Sequence, residues 1–208
     1  MRIDSLKTTP DRMGRYWVRF ADGTSLGLYR QTVEDFGLYT GQELTQAQYE
    51  KLSEAAGQMS AKMRAVRIVS ASSVSRRDLE QRLVQKGEDP EQAKAAVDWM
   101  TELHLVDDRQ TAAGVVSRCA AKGYGLARAK QALYEKKIPK EYWEEALADY
   151  PDQTDKIEDF LRSRLGEAPT DKETKRAIDA LLRRGHSWSD IRRALNNVVS
   201  DADEFREE

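Results

Sequence analysis

One cysteine, two histidines and five prolines are all that the 208 residues hold of those types. The lone Cys119 excludes an internal disulfide. His104 and His186 lie too far apart in sequence to suggest a structural zinc site, so no metal and no cofactor is expected. Long hydrophobic runs are missing as well. The opening MRIDSLKTTPDRMG has no apolar segment of a secretory signal, and no stretch approaches the roughly 18 apolar residues of a membrane span. These absences predict a soluble, cytoplasmic protein without a membrane partner. Nor does one sign of charge dominate: 34 Lys and Arg against 36 Asp and Glu leave a net charge of −2. Charge of both signs is abundant instead. It makes up 34% of the chain, which favours exposed helices, while 39% hydrophobic residues suffice for a core and argue against disorder.

Signatures of catalysis are equally scarce. There is no GxxxxGK loop to cradle phosphates, and KGYG at 122–125 lacks that spacing and reads as an interhelical turn. Neither histidine belongs to a nucleophile elbow or a triad motif. His104 follows Leu103 at a helix end, and His186 follows Arg183, Arg184 and Gly185 in a turn, so both read as turn or capping residues. Carboxylate pairs such as Glu144 and Glu145 fall on charged helical faces and say nothing of general acid chemistry. The chain is not expected to be an enzyme.

Residues 1–29 carry a different pattern from the rest. Tyr16, Val18 and Phe20 alternate with Trp17 and Arg19, the period of a strand with two unlike faces. Asp22-Gly23 then favours a two-residue hairpin turn that sets Phe20 opposite Ser25, with Ser25–Tyr29 as the returning strand and Arg2–Lys7 as a third. A short helix over Thr32–Phe36 should end at Gly37. Thr45 and Gln48 have the spacing of a capping box. Tyr49, Leu52, Ala56, Met59, Met63 and Val66 follow at helical intervals, predicting one long amphipathic helix or two in sequence, with the Met pair in the core.

From residue 75 a module recurs three times: DLEQRLVQKGEDPEQAKAAV (78–97), RAKQALYEKKIPKEYWEEAL (128–147) and RAIDALLRRGHSWSDIRRAL (176–195). Anchored on Gly87, Lys137 and Gly185, the copies share Leu83, Leu133 and Leu181 four residues before the anchor. Ala93, Trp143 and Ile191 follow six residues after it, then Val97, Leu147 and Leu195. Each copy therefore reads as helix, tight turn, helix. Asp89-Pro90, Pro139 and Ser187 with Asp190 open the second helices. An amphipathic segment precedes each copy, which makes three-helix units that stack as in a solenoid. An ordinary helical bundle with chance similarity is the alternative. The fold class is thus mainly α, three tandem three-helix units behind a small β-hairpin or meander. Expected divisions are a β-rich segment over 1–44, the long helix and first repeat over 45–107, the second repeat over 108–151, the third over 152–200 and an acidic tail over 201–208.

Positive charge clusters once per repeat. Lys62, Arg64, Arg67, Arg76 and Arg77 have no acid among them between 61 and 77. Lys122, Arg128, Lys130, Lys136 and Lys137 face only Glu135. Between 175 and 193, Lys175, Arg176, Arg183, Arg184, Arg192 and Arg193 oppose Asp179 and Asp190. Such clusters pair with phosphates and bind nucleic acid in a salt-sensitive way, the alternative being a merely solvated helical face. Asp201, Asp203, Glu204, Glu207 and Glu208 exclude the tail from that surface. Gly87, Gly123, Gly125 and Gly185 are the candidate structural turns.

The segments SRRDLEQRLVQKG (75–87), VDDRQTAAGVVSR (106–118) and KGYGLARAKQALYEKKI (122–138) resemble the RecX family, bacterial regulators of the RecA recombinase, and the likeness runs over about 61–197. Asp78, Thr111 and Lys137 stand where that family usually has Glu, an aromatic residue and Gly. The resemblance implies a non-enzymatic modulator, here expected to be monomeric, that lies in the groove of the RecA filament on single-stranded DNA. There it would restrain ATP hydrolysis and strand exchange in recombination, DNA repair and the SOS response. A helical scaffold that binds only protein and a helix-turn-helix reader of DNA sequence remain alternatives.

Overall fold

The structure, a computed structural model, describes residues 1–166 and 169–204, with side chains described up to residue 198. Three antiparallel strands, β1 (Ile3–Leu6), β2 (Arg15–Phe20) and β3 (Ser25–Tyr29), form a meander in that order. The pleat places Val18, Phe20 and Leu28 on one buried face with Ile3. The hairpin differs from expectation by one residue. Arg19, not Phe20, pairs with Ser25, because the loop holds three residues, Ala21 to Gly23. The Gly23 amide donates to the Phe20 carbonyl (2.9 Å), and Gly23 then adopts φ +88°. A type I turn closed by a left-handed residue is the usual three-residue hairpin, and Asp-Gly serves it as readily as the two-residue one.

Helix α1 (Arg30–Asp35) leads to α2 (Gln46–Ala71), a single helix of 26 residues. Its capping box is formed: the Gln48 amide donates to Thr45 Oγ1 (3.2 Å), and the Thr45 amide to Gln48 Oε1 (2.8 Å). Leu52 and Ala56 close the core over the sheet, whereas Ala61 and Ala65 belong to a second core with α3 (Arg76–Gln85) and α4 (Pro90–Glu102). The helix thus buries small residues where α4 crosses it. A methyl group on Gly57 would overlap the Gln92 side-chain amide. Met59 and Met63 are half-buried and belong to neither core, which corrects the expected core face. Close helix approach selected Gly and Ala over the larger side chains that periodicity favours.

The remaining helices are α5 (Asp108–Ala121), α6 (Leu126–Glu135), α7 (Trp143–Leu147), α8 (Thr154–Arg164), α9 (Asp171–Arg183) and α10 (Trp188–Glu204). The chain divides into two compact units at Asp107/Asp108. In the second, α5 to α7 surround one core containing Val115, Val116, Leu133 and Ile138, and α8 to α10 surround another containing Ile157, Leu161, Leu181 and Ile191. Leu83, Leu133 and Leu181 are each buried, in three separate cores. Pro139 does not open an α-helix directly: a 3-10 turn, Lys140–Tyr142, comes first and leaves α7 only five residues long. Of the expected acidic tail, 201–204 continue α10, and 205–208, with Glu207 and Glu208, lie outside the described residues.

Candidate functional site

The three anchor turns are built alike. Gly87, Lys137 and Gly185 take φ of +88°, +54° and +85°, and in each turn the next amide donates back to the leucine four residues before the anchor. Those bonds are Glu88 to Leu83 (3.1 Å), Ile138 to Leu133 (3.1 Å) and His186 to Leu181 (3.2 Å). This is the Schellman closure, which satisfies helix carbonyls with no partner of their own. The residue before each anchor is basic, Lys86, Lys136 or Arg184, where a cation complements the negative end of the helix dipole. His104 ends α4 in the same conformation (φ +55°) and is exposed, as a turn residue would be.

Within the second unit the turn after α9 packs on the loop before α6. The Gly125 amide donates to the Arg184 carbonyl (2.9 Å), and the Ala127 amide to the Gly185 carbonyl (3.2 Å). Here the glycines serve close approach: a methyl on Gly125 would overlap the Gly185 carbonyl, and one on Gly185 would overlap the Arg128 amide. Buried His186 donates from Nε2 to the Gly123 carbonyl (3.0 Å), and burial pushes its pKa below the ordinary histidine value. The Tyr150 hydroxyl donates to the Tyr124 carbonyl (2.6 Å), and burial pushes it up to about 12. Lys156 Nζ donates to the Ala120 carbonyl (2.6 Å). Three side chains thereby bind carbonyls at the end of α5 and in its loop, and KGYG is a structural joint.

The candidate basic residues divide by what they already hold. In the first unit Arg64 pairs with buried Glu88, Arg67 donates to the Tyr29 hydroxyl (3.1 Å), and Arg76 pairs with Asp98 (2.6 Å). The Lys62 ammonium sits 5.2 Å from the centre of the Trp99 ring. Arg64 and Arg67 line a cleft of about 310 Å³ beside α2 and α3, together with Arg82, which pairs with Asp78 (2.8 Å), and Lys86. In the second unit Arg128 pairs with Glu135 (2.9 Å), and Arg193 donates to Thr154 Oγ1 (2.9 Å). Lys136 and Lys137 are half-buried in their turn. Arg77, Lys122, Lys130, Arg183 and Arg192 are exposed and have no ion-pair partner among the described residues.

Sequence reading missed one further arginine, Arg164. Arg164, the last residue of α8, and Arg176 join Arg183 and Arg184 around the half-buried ring of Phe160 in a cleft of about 430 Å³. Arg176 and Arg183 lie two helical turns apart on α9, a spacing visible in the sequence. Arg164 lies on another helix and had no such signal. Ser75, Asp78, Asp108 and Thr111, in the segments that carry the family resemblance, are all buried, and Ser75 accepts from the Asp78 amide (3.1 Å). Those positions serve the fold.

No family model matches the chain. It is 36% identical over 130 residues to regulatory protein RecX of Xanthomonas axonopodis pv. citri, covering 61% of this chain and 80% of that protein. It is 30% identical over 140 residues to regulatory protein RecX of Chlorobaculum tepidum, covering 66% of this chain and 87% of that one. Among solved structures, a regulatory protein RecX matches with a TM-score of 0.65 over 94% of this chain and 100% of its own, at 20% identity. RecX from Lactobacillus salivarius matches with a TM-score of 0.60 over 69% of this chain and 97% of its own, also at 20% identity. The structural matches show a shared fold, and the sequence matches cover most of each relative, so this chain belongs to the RecX family of regulatory proteins.

Proposed function

We propose that this protein binds the RecA filament assembled on single-stranded DNA and restrains its ATP hydrolysis and strand exchange, as a non-enzymatic, monomeric, cytoplasmic regulator of recombination, repair and the SOS response. The observation that supports it best is the set of exposed basic side chains with no internal partner, Arg77, Lys122, Lys130, Arg183 and Arg192, in a member of a regulatory family. Unpaired cations on rigid helices lose little order on meeting phosphates, and the counterions they displace make binding salt-sensitive. Among the described residues no helix is long and apolar enough to cross a membrane.

The decisive measurement is RecA's DNA-dependent ATPase with increasing amounts of this protein. Hydrolysis is expected to fall with the parent chain. A variant carrying Lys122→Glu, Lys130→Glu and Arg192→Glu should need at least about tenfold more protein for the same effect, because three phosphate-facing charges are reversed. If the parent chain leaves hydrolysis unchanged, the regulator reading fails. Equal restraint by parent and variant at moderate salt would remove the basic surface and favour recognition through protein contacts alone.

A further inference from the structure

The cleft beside α8 and α9 gathers Phe160, Arg164, Glu173, Arg176, Arg183 and Arg184 around about 430 Å³. Four guanidinium groups and one carboxylate make it strongly positive. None of the four arginines has an ion-pair partner among the described residues. The one carboxylate is occupied: Glu173 accepts from the Thr170 amide (2.9 Å) and from its hydroxyl (2.8 Å) in the capping box of α9. Concentrated like charge raises the local potential, and an anion relieves it.

Two of the guanidinium groups are also pre-positioned. The Arg184 and Arg164 carbons lie 4.7 and 5.5 Å from the centre of the Phe160 ring. A guanidinium stacked on a ring uses its face and keeps its N–H edge for a bidentate partner such as a phosphate. With both cations packed against it, Phe160 is a support for the arginines and not a platform for a base. Recognition here is therefore of the backbone and independent of sequence.

We propose that the α8–α9 cleft is a phosphodiester site for single-stranded DNA, in which Arg164 and Arg184 hold one phosphate and Arg176 and Arg183 the next. The choice of this polymer rests on the regulator reading above; the phosphate chemistry rests on the cleft alone. The full chain, without RecA, is titrated into dye-labelled oligothymidine over a range of NaCl concentrations, and anisotropy is read. Arg176→Glu with Arg183→Glu should weaken binding at least about tenfold and lower the slope of log affinity against log salt by about 1.4, since each lost contact to a single strand is worth about 0.7. A charge-matched pair of exposed residues in the first unit, Lys51→Glu with Lys94→Glu, should cost less than about threefold.

Unchanged helical circular dichroism separates charge from misfolding. The single Arg183→Gln, expected to weaken binding about two- to fivefold, carries the test should the double variant not fold. Equal losses in the two pairs, or none in the cleft pair, overturn the assignment, as does displacement of oligothymidine by ATP more readily than by unlabelled strand. Oligothymidine binding that depends on Arg176 and Arg183, found together with a RecA ATPase indifferent to the parent chain, would remove the regulator reading and keep the cleft. The reverse pattern would remove the cleft alone.

Discussion

The two basic clefts occupy corresponding places, beside the first two helices of a module, and use their arginines in opposite ways. Beside α2 and α3, Arg64, Arg67 and Arg82 are committed to Glu88, Tyr29 and Asp78. Beside α8 and α9, Arg164, Arg176, Arg183 and Arg184 have no acid of their own among the described residues except the already bonded Glu173. A count of positive charge scores the two alike. What separates them is where carboxylates fall, Asp78 one turn before Arg82 on α3 and Glu88 just after that helix, so one cleft spends its donors on the fold and the other leaves them without an acid.

The sharpest way to break that contrast is to remove an acid from the first cleft. Glu88 is buried and accepts from both Arg64 and Ser60 Oγ (3.0 Å), so Glu88→Ala strands a half-buried guanidinium and a hydroxyl. A loss of about 3 kcal/mol is expected in chemical denaturation. Arg183→Ala, in the second cleft, should stay within about 0.5 kcal/mol of the parent because its charge is exposed and unpaired. Comparable losses in the two variants would mean the clefts do not differ in this way.

The middle module tests whether the shared turn matters at the same scale. Lys137 holds φ +54° where its counterparts are glycine, a conformation that costs an L-residue roughly 1–2 kcal/mol. Glycine removes that strain and adds freedom to the unfolded chain, so Lys137→Gly should stabilise by about 0.5–1 kcal/mol. A destabilised variant would show that the Lys137 side chain contributes more to its turn than the left-handed strain removes.

The smallest effect is expected at the joint below the second cleft. Burial holds the pKa of His186 below its unfolded value, so the unfolded chain binds the proton more readily. Stability from this group is complete above the unfolded value near 6.5 and falls as pH drops from there toward the lowered folded value. Thermal midpoints of the parent should decline over that interval, and His186→Gln should decline less. Identical pH profiles would remove the histidine from the account.

Legibility followed the reach of the interactions. The Thr45 box, the Asp89 cap, the end of α1 at Gly37 and the three anchor turns all join residues within a few positions, and each stood in the sequence. The hairpin was legible as a hairpin but not in register, since Asp22-Gly23 suits both loop lengths and the structure uses the longer. On α2, periodicity favoured Met59 and Met63, whereas proximity to α4 buried Ala61 and Ala65. The basic clusters were visible, but which arginines are consumed by acids such as Glu88 was not.

By itself the sequence determined the helical class, the meander before it, the recurring turns and the family likeness, because local propensity, capping and periodicity are properties of neighbours along the chain. Tertiary structure alone decided that Gly125 lies against Gly185, that Glu88 neutralises Arg64, and that Arg164 meets Arg176 and Arg183 around Phe160. Those pairings join residues many positions apart, and a carboxylate's choice among surrounding cations depends on distances that only the packed helices set.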